Sequence, residues 1–277
     1  MRAEAVKQYG PIAPVGREGG NFRVLEDGRT VVEVPIVGEY KQDVVRSSDG
    51  LLWISGHGSQ DALALNHEMY PPGRSIHDYI CGHFAPGLVF LDIGAHVGHY
   101  ALRAAKAGCT VYAVEANPDC AAQLRMNMIA NKIDNVTLWA VAAWDKHELL
   151  DFNSGPEDVL MRSGGNSVMP AAARPAMTRT DLGVTVAALP LDDLLVRLDR
   201  LDLVKMDVEG ADLQVLDGMR RAIARLRPKL IIEDHSIYGY FEPEKFDVMQ
   251  ESFAGYRWTS AEAEGVEVTL NFRIGVP

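Results

Sequence analysis

The chain has 277 residues, of which 47% are hydrophobic, and its formal net charge is −11 at pH 7. This acidic balance disfavours nucleic acid as a partner, because a broad interface with phosphates needs an excess of Lys and Arg. No stretch has the length and apolarity of a membrane span, so no membrane partner is expected either. Three cysteines without metal-ligand spacing, and the lack of an apolar signal segment, favour a reduced, cytoplasmic compartment.

A small α+β lobe is predicted for residues 1–80, ahead of the main domain. The first 20 residues are rich in Gly and Pro and predict a loose arm, whereas the alternation in 22–36 predicts a β-hairpin. A short strand is predicted at 51–55, and 59–87 has a mainly helical pattern. We expect this lobe either to cover the ligand site and shape the substrate entrance, or to protect an edge of the sheet.

The most informative stretch is Val89–Asn117, in which an apolar strand is followed by a glycine-spaced turn and an Ala-rich helix. Asp92 opens the turn, and Gly94 and Gly98 bracket it, where the absence of a Cβ lets the backbone pass from strand to helix. A second apolar run ends in Glu115, whose carboxylate can accept both hydroxyls of a ribose. This order of elements predicts a nucleoside site at the switch point of a doubly wound sheet.

The turn favours S-adenosylmethionine over NAD as the nucleoside ligand. The dinucleotide fingerprint G-x-G-x-x-G is absent, because His96 stands where the middle glycine would let the backbone close on a pyrophosphate. The acid that opens the turn suits a cation instead, and S-adenosylmethionine carries a sulfonium and an ammonium but no phosphate. An NAD-dependent oxidoreductase is therefore the less favoured alternative.

Helical and extended patterns continue to alternate after this stretch. Pro118–Asn131 is predicted as a helix, Val136–Val141 as a strand and Leu189–Leu198 as a short acidic helix. The segment 145–186 between the last two has no regular pattern.

An apolar strand then ends in Asp207, a glycine turn follows, and one helix is predicted from there to about Leu226. Lys229–His235 is the next buried strand, and 256–276 contains a closing β pair. This alternation predicts an α/β fold with a mostly parallel sheet and an antiparallel C-terminal edge, which we assign to residues 81–277.

Acidic residues stand at four strand ends of this sheet. The carboxyl ends of parallel strands meet at one crevice, which is where ligands bind in open α/β sheets. No partner for these desolvated carboxylates is evident in the sequence, which favours a ligand site. The residues concerned are Asp92, Glu115, Asp207, Glu209, Glu233, Asp234 and the adjacent His235.

Five segments together resemble the FkbM-type S-adenosylmethionine-dependent methyltransferase family. They are VFLDIGAHVGHYAL, YAVEANP, NVTLWAVAAWD, LPLDDLL and LDLVKMDVEGADLQVLDGM, and the similarity extends over about residues 85–240. The KMDVEGA segment with LDDLL upstream is the most family-specific part, since the glycine turn alone indicates only a class I methyltransferase. The resemblance implies a Rossmann-like, seven-stranded fold and methyl transfer, most often to a hydroxyl oxygen of molecules such as sugars or macrolides.

The resemblance also implies roles for individual residues. The turn after the first core strand would line the methionine moiety, Glu115 the ribose hydroxyls and Val141–Ala143 the adenine, whereas Asp207 would face donor and acceptor. Family members commonly have Asn where this chain has His96. The implied cofactor-binding residues are Asp92, Gly94, His96, Gly98, Glu115, Ala116, Asn117, Ala142 and Asp207.

Three residues are candidates for taking the proton of the acceptor hydroxyl: His235, Asp207 and Glu209. His235 has the most suitable unperturbed pKa, about 6.5, although it could instead be a surface residue that merely ends a strand. Asp207 and Glu209 could also stabilise charge near the sulfonium, bind Mg²⁺ or Ca²⁺ for a substrate diol, or simply cap the next helix. No residue is assigned as a metal ligand, and a divalent metal is kept only as a possible cofactor.

We therefore expect an S-adenosylmethionine-dependent O-methyltransferase that acts on a small or medium-sized hydroxylated molecule, with an oligomer possible. One alternative on the same fold is an N- or RNA-directed methyltransferase, which the acidic charge disfavours. Another is a non-catalytic protein that keeps the nucleoside pocket for stability, against which the intact acids at the strand ends argue.

Overall fold

The structure is a computed structural model, and it describes residues 22–24, 30–32, 43–47, 49–55, 75–154, 180–266 and 272–277. Its strands are Phe22–Val24 (β1), Thr30–Val32 (β2), Asp43–Arg46 (β3), Leu52–Ser55 (β4), Val89–Ile93 (β5), Thr110–Val114 (β6), Val136–Trp139 (β7), Ala142–Ala143 (β8), Glu148–Ser154 (β9), Thr180–Leu189 (β10), Leu203–Met206 (β11), Lys229–Glu233 (β12), Arg257–Ser260 (β13) and Phe272–Val276 (β14). Its helices are Ile76–Cys81 (α1), His99–Lys106 (α2), Pro118–Ala130 (α3), Leu191–Leu195 (α4), Asp212–Gly218 (α5), Arg220–Leu226 (α6) and Pro243–Glu251 (α7), and 3₁₀ turns lie at His235–Tyr238 and Glu262–Glu264. Among the helices of these ranges, none is long and apolar enough to cross a membrane.

Seven strands form the central sheet, in the order β13-β14-β12-β11-β5-β6-β7. Neighbouring strands from β12 to β7 pair in parallel, whereas β14 runs antiparallel to both β12 and β13. The chain passes from β5 outwards to β7 and later returns to β11 on the other side of β5, so the switch point lies between β5 and β11. The predicted mostly parallel, seven-stranded α/β sheet is confirmed, and its antiparallel strand is β14.

The sheet is buried on both faces, because successive side chains of each strand point to opposite sides. In β5, Phe90 packs in the core on one face and Leu91 in the core on the other, and both are fully buried. Burial of one such side chain contributes about 1.5–3 kcal/mol to the free energy of folding. Asp92 and Lys205 interrupt this apolar pattern, and they are direct neighbours in register on β5 and β11. Two charged residues in the centre of the sheet thus mark the switch point.

Two antiparallel pairs, β1–β2 and β3–β4, make up most of the described part of residues 1–80. The hairpin predicted in 22–36 and the strand predicted at 51–55 are confirmed. Of the predicted helical stretch, α1 is observed, whereas 59–74 lies outside the described residues. The division into a lobe and a domain of residues 81–277 stays a prediction.

Strand β4 is fixed to helix α3 by side-chain amides. The backbone N–H groups of Leu52 and Ile54 donate to the side-chain oxygens of Asn131 and Asn127, at 2.7 and 2.8 Å. Trp53, between them, is fully buried in one of the two sheet cores. This segment therefore packs on the helical layer beside the sheet.

The prediction that 145–186 is irregular is wrong for two segments. Strands β9 and β10 pair antiparallel and form a separate three-stranded sheet with β8. A register shift between Asp181 and Val184 interrupts the two-residue period by which strands are identified in a sequence. Residues 155–179 lie outside the described residues.

The single helix predicted after β11 is also wrong, since Met219 separates α5 from α6. The first N–H groups of α6 need acceptors from outside the helix. Those of Arg221 and Ala222 donate to the carboxylate of Asp192 at 3.1 and 2.6 Å. Because α4 supplies this acceptor from a distant part of the chain, no local pattern reveals the second helix start.

Candidate functional site

Side chains from neighbouring strand ends converge at the switch point. Lys205 Nζ lies 3.5 Å from the carboxylates of both Asp92 and Asp207. His235 Nε2 lies 3.6 Å from Asp207 and 3.9 Å from Glu233. The predicted convergence is confirmed, and a buried lysine and a buried histidine stand among these carboxylates as partners that the sequence did not make evident.

The turn after β5 has a backbone that few residue types tolerate. Gly94, His96 and Gly98 have φ angles of 74°, 53° and 99°, a region that side chains other than Asn, Asp and His rarely adopt. His96 is thus one of the few residue types with a side chain that this backbone tolerates. A Cβ on Gly94 would stand 1.7 Å from the carbonyl oxygen of Asp207. The absence of a side chain at Gly94 therefore allows the backbone after β5 to approach the backbone after β11 closely.

Glu115, at the end of β6, is held by the same turn. Its Oε2 accepts a hydrogen bond from the backbone N–H of His96 at 2.6 Å, and its Oε1 accepts one from that of Asn117 at 2.8 Å. Burial raises the pKa of this carboxyl to about 7, although the two N–H donors oppose the shift. The side chain of Asn117 caps α3 by accepting from the N–H of Asp119 at 2.9 Å. Glu115 is thus oriented by two backbone donors before any ligand arrives.

The imidazole of His96 has a nitrogen that the described part of the chain does not satisfy. Its buried Nε2 has no hydrogen-bond partner there. Burial lowers the pKa of this imidazole to about 4, so at neutral pH it is uncharged, with one N–H donor and one acceptor nitrogen. A polar group of a ligand at this point would satisfy a nitrogen whose isolation costs free energy.

Lys205 is a residue of the site to which the sequence motifs assign no role. Its Nζ donates to the carbonyl oxygen of Gly94 at 3.1 Å as well as lying between two carboxylates. Burial alone would lower the pKa of this ammonium, but Asp207 and Asp92 raise it above its ordinary value, so that it is charged at neutral pH. The signal available in the sequence is one Lys inside the apolar run LDLVKM.

Asp92 is fully buried, so its position differs from that of a residue lining an open crevice. Burial raises the pKa of its carboxyl to about 6, against the opposing effect of Lys205. We infer that Asp92 acts on the crevice through Lys205. A direct contact between Asp92 and a cofactor stays a prediction.

His235 is 1% exposed, so the alternative that it is a surface residue is wrong. Its Nδ1 lies 3.0 Å from an oxygen of Asp212, and its Nε2 faces three further carboxylates. Burial lowers the pKa of this imidazole, but Asp212 and the other acids outweigh burial and raise it to about 10. The pKa of His235 in the fold thus lies well above the unperturbed value that made it a candidate base, and at neutral pH His235 is a cation. The sequence could not reveal this, because Asp212 reaches His235 from another element.

Two carboxylates of the turn after β11 are partly open to the crevice. The side chains of Asp207 and Glu209 are 32% and 27% exposed, and they lie 3.6 and 4.0 Å from His235 Nε2. The N-cap residue of α5 is Ala211, which makes no side-chain cap, so the predicted capping role is not observed at that position. These two carboxylates are instead directed at His235.

Three residues that the sequence analysis named make structural contacts in the fold. Asp234 Oδ2 accepts from Arg273 Nε at 3.0 Å, which ties β12 to β14. Ala142 is buried in the core and pairs with Ala188 of β10, and Ala116 packs partly buried against the same core. Whether the two alanines contact a cofactor stays a prediction.

Comparisons with known proteins agree on one class. The family model described as "Methyltransferase FkbM domain" matches residues 92–258. The chain is 28% identical to the 2-O-methyltransferase NoeI of Sinorhizobium fredii over 151 residues, which are 51% of this chain and 61% of that protein. It is 38% identical to a tRNA (guanine(37)-N(1))-methyltransferase of Cryptococcus neoformans over 58 residues, which are 21% of this chain and 11% of that protein.

Among solved structures, a methyltransferase FkbM from Methylobacillus flagellatus is similar to this chain with a TM-score of 0.45 and 17% identity. The similarity covers 70% of this chain and 44% of that one. In each of these three relatives, the match thus spans less than two thirds of the relative's own length.

Proposed function

The chain belongs to the FkbM methyltransferase family, and from this premise we propose that it transfers a methyl group from S-adenosylmethionine to a hydroxyl oxygen of a small or medium-sized molecule, such as a sugar or a natural product. The observation that carries the proposal is Glu115, fixed beside the turn after β5 by two backbone donors. The similarity to a 2-O-methyltransferase supports oxygen as the acceptor atom.

The residues present fit S-adenosylmethionine. Glu115 keeps lone pairs for the two ribose hydroxyls in addition to the two N–H groups that it accepts. His96 offers a neutral imidazole whose buried Nε2 lacks a partner among the described residues. The acids of the crevice suit a ligand with a sulfonium and an ammonium. When bound, S-adenosylmethionine supplies a methyl group on a positively charged sulfur.

The acceptor hydroxyl must lose its proton when its oxygen takes the methyl group. Asp207 and Glu209 are exposed enough to reach an acceptor and can take this proton. His235 is almost fully buried, and with a pKa raised to about 10 it already carries a proton at neutral pH. We therefore assign the base to one of the two carboxylates, which contributes about 10²–10⁴-fold beyond alignment of the reactants.

RNA is the second class of acceptor to test, because 58 residues are 38% identical to a tRNA methyltransferase. The net charge of −11 weighs against it, since binding to RNA depends on neutralising phosphates with Lys and Arg. A methyl-transfer assay with tritiated S-adenosylmethionine on bulk tRNA and on small hydroxylated extracts separates the two classes.

Calorimetry tests the donor half of the proposal. We expect the wild-type protein to bind S-adenosylmethionine and S-adenosylhomocysteine, and Glu115→Ala to lose most of this affinity, because the ribose hydroxyls lose their acceptor. Asp134→Asn removes an exposed acid away from the crevice and serves as the matched control, with unchanged affinity. If the wild type binds neither S-adenosylmethionine nor S-adenosylhomocysteine, or if Glu115→Ala binds them with unchanged affinity, the proposal is wrong.

The affinity for S-adenosylmethionine should also depend on pH through Glu115. Because burial raises the pKa of this carboxyl to about 7, acidic solution protonates it and removes its ability to accept both hydroxyls. We expect the affinity to fall by up to about tenfold per pH unit below that pKa. Glu115→Gln should bind about 10–100-fold more weakly above pH 8, because a charged acceptor is lost.

Calorimetry between pH 5.5 and 8.5 measures this dependence. Titration of the ligand itself affects wild type and Glu115→Gln alike, so the difference between the two curves isolates Glu115. Parallel curves would contradict its role.

A further inference from the structure

A cluster of nitrogen and oxygen donors lies between β11 and β12. One ligand atom each of Asp207, Glu233 and His235 lie within 4.8 Å of one another. We propose that these three side chains bind a divalent transition-metal ion of the Mn²⁺ type, with the open positions of the ion available to a hydroxyl of the acceptor. The acceptor's part in this inference rests on the proposed O-methyl transfer, whereas binding of the ion does not.

The distances fit a shared ion. Two atoms that are each bound at about 2.1 Å can be no more than about 4.2 Å apart. His235 Nε2 meets this limit with both carboxylates, at 3.6 Å from Asp207 Oδ1 and 3.9 Å from Glu233 Oε1. The ligand atoms of Asp207 and Glu233 lie within 4.8 Å of each other, so a small rotation of the partly exposed Asp207 side chain would bring all three pairs within the limit. A mixed set of one imidazole and two carboxylates suits Mn²⁺ or Zn²⁺ better than Mg²⁺ or Ca²⁺, which prefer oxygen alone.

Glu233 supplies an independent indication of a ligand. This residue is 9% exposed, and its carboxylate accepts no hydrogen bond from the part of the chain that the structure describes. Its nearest charged atom in an ion pair is His235 Nε2 at 3.9 Å, beyond hydrogen-bond distance. The Glu233 side chain is only 11% exposed, so its carboxylate is largely desolvated, and a cation bound beside it would offset that cost.

Asp212 orients the imidazole in the way that metal-binding histidines require. Ligating histidines commonly donate their second ring N–H to a carboxylate, which fixes the tautomer and the ring orientation. Asp212 is fully buried and lies 3.0 Å from His235 Nδ1. Binding of the ion would displace the proton of the imidazolium from Nε2 and release it to solvent. The proton on Nδ1 would stay with Asp212, and the Nε2 lone pair would then be directed towards Asp207 and Glu233.

The charges around the cluster also favour a divalent cation. Four carboxylates surround His235, those of Asp207, Glu209, Asp212 and Glu233. The ammonium of Lys205 and, before an ion binds, the imidazolium of His235 compensate only part of this negative charge. An ion held by Asp207, Glu233 and His235 would lower the pKa of a bound hydroxyl, and Glu209, which is not one of the three ligands, would be the carboxylate that accepts its proton.

Binding of Mn²⁺ alone to the full chain tests the inference. Protein freed of metal with EDTA is titrated with Mn²⁺, and the free ion is followed by EPR. We expect one ion per chain and a loss of most of this affinity in Glu233→Gln, whereas Asp212→Asn should bind about 10–100-fold more weakly. Glu262→Gln, at an exposed acid outside the cluster, is the matched control and should bind like the wild type. Electron spin echo modulation from ¹⁴N should appear in the Mn²⁺ complex, because an imidazole is a ligand.

Each outcome decides the inference. Absence of Mn²⁺ binding, equal binding by Glu233→Gln, or a complex without ¹⁴N modulation would overturn it. Calorimetry with S-adenosylhomocysteine on the same metal-free protein keeps the proposed function separate. If S-adenosylhomocysteine binds but Mn²⁺ does not, the metal site is ruled out and the methyltransferase proposal stands. If Mn²⁺ binds but S-adenosylhomocysteine does not, the methyltransferase proposal is ruled out and the metal site stands.

Discussion

Replacing Lys205 by Met should lower the free energy of unfolding by about 3–5 kcal/mol at neutral pH, the usual cost of leaving a buried charge without its partner. Lys205 is 5% exposed and Asp92 fully buried, and Lys205 Nζ lies 3.5 Å from the Asp92 carboxylate. Met has a similar length and fills the space of the methylene stem, so the loss comes from charge and not from a cavity. Urea unfolding monitored by circular dichroism measures it.

The pH dependence identifies Asp92 as the cause of this loss. Burial already raises the pKa of Asp92 to about 6 with Lys205 present, and removal of the ammonium raises it further. A raised carboxyl pKa means that the folded state holds the proton more tightly, so stability is highest in acid and falls as the pH rises through the folded pKa. The penalty of Lys205→Met should therefore be smaller at pH 5 than at pH 8.

Two further variants make the interpretation specific. Asp92→Asn in the Lys205→Met background removes the isolated charge and should recover most of the lost stability. Lys229→Met, on the neighbouring strand, loses contacts at 2.7 Å to the Tyr79 hydroxyl and at 2.9 Å to His83 Nε2 but no carboxylate partner, so it should cost only about 1–2 kcal/mol. Equal losses in the two lysine variants, or no recovery in the double variant, would contradict the role of Asp92.

The local parts of the site could be predicted from the sequence. Strand β5, its glycine turn and the acid after β6 follow each other within 29 residues, Val89–Asn117, and each has a direct signature in composition or spacing. The KMDVEGA segment is recognisable in the sequence itself. The meeting of Asp207 with His235 in one crevice follows from the parallel pairing of β11 with β12. Parallel strands bring their carboxyl ends together whatever the loops between them are.

The parts that could not be predicted depend on contacts between distant elements. The pKa of His235 is raised by Asp212 of helix α5, which lies 23 residues earlier in the chain. The same holds for α6, which begins where Asp192 of α4 supplies an acceptor. Lys205 had a signal in one charge within an apolar strand, but its partner Asp92 is known only once β5 lies beside β11. Sequence patterns thus identified the candidate functional residues, whereas contacts formed in the folded sheet determine which of them are ionised.

Gly94→Ala should destabilise the protein strongly and disrupt the site. Its φ of 74° costs an L residue about 1–2 kcal/mol, and a Cβ there would stand 1.7 Å from the carbonyl oxygen of Asp207. Because backbone atoms cannot rotate away as a side chain can, β5 and β11 would have to separate at the switch point. We expect a total loss above about 4 kcal/mol, together with loss of binding to S-adenosylhomocysteine.

Gly87→Ala separates the two costs of that substitution. Gly87 has a φ of 81°, close to that of Gly94, but a Cβ on it would meet nothing within 4 Å. This control should therefore lose only the conformational part, about 1–2 kcal/mol, and keep its affinity for S-adenosylhomocysteine. Thermal unfolding and calorimetry on both variants give the comparison. If Gly94→Ala were no less stable than Gly87→Ala, the close approach of β11 to the turn could not be what holds the site together. If it were less stable yet bound the ligand normally, the turn would support the fold without shaping the cofactor site.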